Sequence, residues 1–80
     1  MAVDERVRLI ADEIEGYLAE RPGAADTFEG ISRWWLAGLQ LGDATDDVQR
    51  ALDLLVQRKV VVKTMLPDGK ALYGRAQRGN

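Results

Sequence analysis

The chain has 80 residues, 46% hydrophobic and 30% charged, with 13 acids against 11 lysines and arginines for a net charge of −2. That is the balance of one small globular domain whose core can fold alone but with little margin. Cysteine and histidine are both absent, which excludes disulfides and thiolate metal sites and removes the commonest general base and metal ligand.

The first element is an amphipathic helix expected over about residues 3–20. Val3, Val7, Ile10, Ile14, Tyr17 and Leu18 recur at three- and four-residue spacing, and Asp4, Glu5, Arg8, Asp12, Glu13 and Glu15 fill most positions between them. Pro22-Gly23 stops it. This acidic, amphipathic start is the opposite of a signal or transit peptide, and no apolar run approaches the ~18 residues that span a bilayer. A cytoplasmic protein with no membrane partner is therefore expected.

A second helix is expected over about residues 27–37. Asp26 or Thr27 offers its N-cap, and Asp26 with Glu29 resembles a capping box. At about 100° per residue, Phe28, Ile31, Trp35 and Leu39 share one face. Trp35 sits near the centre of that face as a core anchor between the first and third helices. Trp34 falls on one margin and Leu36 on the other, so Trp34 is expected half in and half out. Two readings of Trp34 stay open. It lies flat over the first connection, on Pro22 or Ala24, extending a thin core, or it anchors a partner protein as tryptophans at binding hot spots do. The stretch after it, with Gly38 and Gly42, reads as a connector with Leu39 and Leu41 tucked inward.

Asp43 or Thr45 caps a third helix over about residues 45–58, with Val48, Ala51, Leu52, Leu55 and Val56 at helical spacing. The period then changes. Residues 60–66, VVVKTML, are rich in β-branched side chains and read as a strand. Pro67-Asp68-Gly69-Lys70 is a turn in which Pro67 presets φ, Asp68 bonds nearby backbone and Gly69 takes positive φ. A second strand, ALYGR at 71–75, closes a hairpin over about 60–75. One domain over 1–76 and a flexible tail at 77–80 complete the expected organisation, a small α+β fold.

Helix, helix, helix, hairpin, read with these residues, resembles the winged helix-turn-helix superfamily. DDVQRALDLLVQRKVVVKTMLPDGKALYGR is similar to its third helix and wing, matching at Val48, Leu52, Leu55, Val60–Val62, Asp68-Gly69 and Tyr73. TFEGISRWW is similar to the second helix, with Ile31 at the buried position. The resemblance covers about residues 3–75. It implies three helices followed by a two-stranded β-hairpin wing, and a third helix that enters a DNA groove. Two departures stand out: the link over about 37–45 is longer than a tight turn, and Lys59 stands before the wing where glycine is common.

Charge decides how far that implication reaches. Residues 1–30 hold eight acids and three arginines, five negative charges net. Residues 54–80 hold Arg58, Lys59, Lys63, Lys70, Arg75 and Arg78 against Asp68, five positive charges net. The outward face of the third helix is expected to show Asp46, Asp47, Arg50, Asp53, Leu54 and Gln57, and with Asp43 its first turn clusters aspartates. Those favour the helix dipole but repel phosphates. The wing is more permissive: Lys59, Lys63, Lys70 and Arg75 could hold phosphates without reading sequence, or could merely keep an exposed sheet edge soluble.

Catalysis is not indicated. Ser32 is the only serine, Thr27, Thr45 and Thr64 have no evident base, and the glycines form neither a dinucleotide fingerprint nor a phosphate loop. No cofactor, metal or small-molecule substrate is expected. Two functions remain. One is a protein-interaction module binding another protein or itself through Trp34, Arg50, Leu54 and Arg58. The other is a small DNA-binding regulator using Lys59, Lys63, Lys70 and Arg75. The residues favour the first.

Overall fold

A computed structural model describes residues 5–39 and 45–76. Helix α1 is Glu5–Glu20, and strand β1 is Ala25–Thr27. Next comes a short helical unit, α2, which opens as one α-turn at Phe28–Gly30 and continues as a π-helical segment at Ile31–Trp35. Helix α3 is Thr45–Gln57, and strands β2, Val61–Met65, and β3, Ala71–Arg75, follow. The fold is α+β: α1 packs on α3 and on the π-helical segment, and a three-stranded antiparallel sheet of order β1-β3-β2 lies beside them.

The core collects the apolar stripes that period alone marks. Val7, Ile10, Ala11, Ile14 and Leu18 come from α1, and Val48, Ala51, Leu52 and Leu55 from α3. Ile31, Trp35 and Leu36 close one end, and Val61 and Tyr73 turn inward from the sheet. Every residue of this core is apolar or aromatic. Gln49 Nε2 donates to the Tyr73 hydroxyl at 3.3 Å, giving that phenol a partner at the helix–sheet boundary. Among the described residues no helix is long and apolar enough to cross a membrane.

Two expectations are corrected here. The hairpin forms but is not the whole sheet, because Ala25, Asp26 and Thr27 pair with Gly74, Tyr73 and Leu72 and add a third strand. Those three residues have neither alternation nor strong strand propensity. They are extended because β3 otherwise leaves an open edge beside them. The second helix, expected regular over 27–37, is shorter and changes pitch within itself. The Leu36 amide donates to Ile31 oxygen, five residues back, at 3.1 Å. The expected stretches at 1–4, 40–44 and 77–80, including Val3, Leu41, Asp43 and Arg78, lie outside the described residues.

Several local signals appear where expected. Thr27 is the N-cap of α2, its hydroxyl accepting from the Gly30 amide at 3.3 Å. Asp26 Oδ1 accepts from the Thr27 amide at 2.8 Å, so the aspartate and threonine share the work at this end. In the hairpin turn the Gly69 amide donates to Leu66 oxygen at 2.9 Å, Gly69 has φ of 90°, and Asp68 Oδ1 accepts from the Lys70 amide at 3.0 Å.

The C-terminus of α3 is a Schellman motif. The Val60 amide donates to Leu55 oxygen at 2.9 Å and the Lys59 amide to Val56 oxygen at 3.0 Å, with Lys59 at φ of 63°. Glycine is the usual residue at such a left-handed position, where a side chain costs about 1 kcal/mol. Lys59→Gly is therefore expected to raise unfolding free energy by about 1 kcal/mol in urea titrations. A loss of stability would show that the lysine side chain contributes more than its backbone costs.

Candidate functional site

The two adjacent tryptophans part company. Trp35 is 6% exposed and stacks on Tyr17 of α1, with ring centroids 4.5 Å apart and 12° between planes. The Arg21 guanidinium carbon lies over the Tyr17 ring at 4.5 Å from its centroid, a cation–π contact beside the aromatic stack. Trp34 is 70% exposed. It neither lies half in nor packs down over the first connection.

The π-helical segment is the cause. A hydrogen bond spanning five residues puts more residues in each turn, so each rotates less than the 100° of an α-helix. Ile31, Trp35 and Leu36 then fall on one face, and all three are buried. Leu36, which the regular helical wheel leaves on a margin, is drawn in. Trp34, on the other margin, is turned out. Ser32 Oγ, buried in the same segment, has no hydrogen-bond partner among the described residues.

On α3 the exposed stripe is Asp46, Arg50, Asp53 and Gln57. Asp47 is not on it. Its carboxylate turns toward α1, where Arg6 Nε lies 3.4 Å from Oδ2. Leu54 also departs from its expected outward placement: it is half-buried and packs against the core, while Ala51 beside it is fully buried. An apolar patch centred on Leu54 and Ala51 therefore does not form, and Trp34 carries the exposed aromatic surface by itself.

The cations of the C-terminal half fall into separate groups. Lys70 stands at the hairpin tip, next to Asp68. Lys63 is exposed midway along β2, opposite Tyr73. Arg75 is at the hairpin base, opposite Val61. Lys70 and Arg75 lie five residues apart along the chain, about 17 Å of extended strand. Arg58 and Lys59 at the end of α3 join Arg75 on a cleft of about 630 Å³, where Glu15 is the one carboxylate among the described residues. Among the described residues ion pairs join Arg6 to Asp47 and Arg21 to Glu20, and none engages Arg50, Arg58, Lys59, Lys63, Lys70 or Arg75.

Two features escape a reading of residues alone. Strand β2 is an edge strand, and its Val62 and Met65 are exposed. The sheet order that makes it an edge follows from β1 pairing with β3. The basic cleft likewise needs the ends of α1, α3 and β3 brought together. Its sequence signals are the net positive charge of residues 54–80 and the non-glycine residue at position 59. No family model, no curated protein and no solved structure matches this chain.

Proposed function

We propose that the chain is a winged-helix binding module that performs no catalysis, acts in the cytoplasm, and engages another protein or a second copy of itself through a surface centred on Trp34. The observation that carries this is the divergence of the tryptophans. A domain short of core uses Trp35 to fill it and leaves Trp34 70% exposed, although tryptophan is costly to leave in water and frequent at binding hot spots. Three helices with α3 running straight into an antiparallel hairpin support the winged-helix assignment. Arg50, exposed on α3, and Arg58 at its end are further polar contacts of this reading, while Leu54 is half-buried against the core.

Trp34→Ala is expected to leave the unfolding transition within about 0.5 kcal/mol of wild type and to abolish association. Sedimentation across a concentration series tests self-association. Photo-crosslinking from position 34 in cells, followed by mass spectrometry, tests for another protein. An unchanged oligomeric state together with no crosslinked product would overturn the reading. Leu54→Asp would not serve as the test, because it places a charge against the core.

A second reading has its own observation: Lys59, Lys63, Lys70 and Arg75 are all exposed and, among the described residues, engaged in no ion pair. They suit phosphate contacts by a DNA-binding regulator, although Asp46 and Asp53 flank Arg50 on the helix that would enter the groove. Under this reading a labelled duplex binds at about 50 mM salt, fades steeply by about 200 mM, and is lost in the Lys63→Glu, Lys70→Glu double variant. No binding at the lower salt would retire it.

A further inference from the structure

We propose that the cleft between the C-terminal ends of α1 and α3 and the base of the hairpin is a binding site for a phosphoryl dianion on a small, soluble, non-aromatic molecule. Its charged lining is Arg58, Lys59, Arg75 and Glu15. Among the described residues, three cations against one carboxylate leave two positive charges, and no ion pair uses the three cations. A phosphate monoester carries −1.5 to −2 near pH 7 and offers three strong acceptor oxygens, which the planar forks of two arginines match in pairs.

Backbone hydrogen bonds tie the frame of the cleft together. The Ala76 amide donates to Val60 oxygen at 2.9 Å, tying the end of β3 to the end of α3. Arg58, Lys59 and Arg75 therefore start from backbone held by hydrogen bonds, with the Schellman turn fixing the first two. Helix C-termini ordinarily repel anions through free carbonyls. Here Leu54, Val56 and Leu55 oxygens accept from the amides of Arg58, Lys59 and Val60, which pairs three of the last four carbonyls of α3, and one of the last four of α1, that of Tyr17, accepts from Arg21.

The remaining lining selects the body of the ligand. Leu18, Pro22 and Val60 contribute aliphatic surface, and no aromatic ring lines the cleft on which a nucleobase could stack. The volume of about 630 Å³ lies within the range of small-molecule sites. Lys59 fits the same account, because a lysine in a left-handed conformation keeps a cation at the rim where glycine would be the more stable choice. This inference rests on neither the Trp34 surface nor duplex binding, although it shares Arg58 with the first reading and Lys59 and Arg75 with the second.

The test is a titration of the full chain with inorganic phosphate and with glycerol 3-phosphate, read by amide chemical shifts, against sodium chloride at matched ionic strength. Saturable shifts at Lys59, Val60, Arg75 and Ala76 are expected with both phosphates and not with chloride. Arg58→Gln and Arg75→Gln should each weaken binding about tenfold, and Arg50→Gln on the outer face of α3 should not change it. Lys59→Gly adds a control in which binding falls while the fold is strengthened. Equal shifts with chloride, non-saturating shifts, or undiminished affinity in Arg75→Gln would overturn the proposal. Trp34→Ala should have no effect on this titration, so its outcome is independent of the association experiment.

Discussion

Trp35→Ala is expected to remove about 4 kcal/mol of unfolding free energy, the usual cost of emptying a buried tryptophan site. An 80-residue domain holds about 4–12 kcal/mol in total, so this variant should sit at the edge of unfolding at room temperature. The site is poorly able to collapse. Ile31 and Leu36 flank it on a segment whose pitch is already altered, and Tyr17 would lose the ring it stacks on. Arg21, which lies over the Tyr17 ring, would then rest on a ring that has lost its aromatic partner. Urea titrations followed by circular dichroism give the loss directly. Fluorescence adds a second readout, since Trp34 should be freely quenched by acrylamide and Trp35 protected. A cost below about 1 kcal/mol, or equal quenching of the two rings, would mean that the π-helical turn does not sort them as described.

Gly30→Ala is the second large effect, and its sign is opposite to the general rule. Alanine in place of glycine inside a helix ordinarily stabilises by about 1 kcal/mol. At position 30 an added methyl would fall on the Asp26 carboxylate. That carboxylate cannot move away without giving up its hydrogen bond to the Thr27 amide. The Thr27 cap on the Gly30 amide would be strained with it. A loss of about 2 kcal/mol is expected, from one orphaned amide plus a disturbed N-cap. Because Asp26 also lies opposite Tyr73 in the β1–β3 register, the damage should reach the sheet edge and show as faster amide exchange along β1. The double variant Asp26→Ala, Gly30→Ala removes the clash and should recover part of the loss. Additive losses in the double variant would show that the two residues do not oppose each other.

The helices α1 and α3 are legible because period, caps and stops are local properties. Val7, Ile10, Ile14 and Leu18 mark one stripe and Val48, Leu52 and Leu55 the other, and both stripes form the core as their spacing requires. The hairpin turn is legible for the same reason, since Pro67, Asp68 and Gly69 each impose conformation on their own backbone. The N-cap at Thr27 belongs with them. Trp34 marks where that legibility stops. A regular helical wheel puts Trp34 and Leu36 on opposite margins of the buried face, and nothing in the wheel ranks them. The five-residue hydrogen bond from Leu36 to Ile31 breaks the tie by reducing the rotation per residue.

What the amino acids determined by themselves is therefore the set of elements whose signals lie within one or two turns of chain: two amphipathic helices, a capped third helical unit and a hairpin. Composition added the absence of histidine and cysteine chemistry. Tertiary structure decided what depends on partners distant in sequence. Strand β1 exists because β3 offers it an edge, Asp47 turns inward because Arg6 stands on the neighbouring helix, and Leu54 is half-buried where α3 meets the core. The cleft of Arg58, Lys59 and Arg75 is of the same kind. Each is a contact between segments whose meeting is set by packing of the whole chain, and packing is not encoded in the period of any one of them.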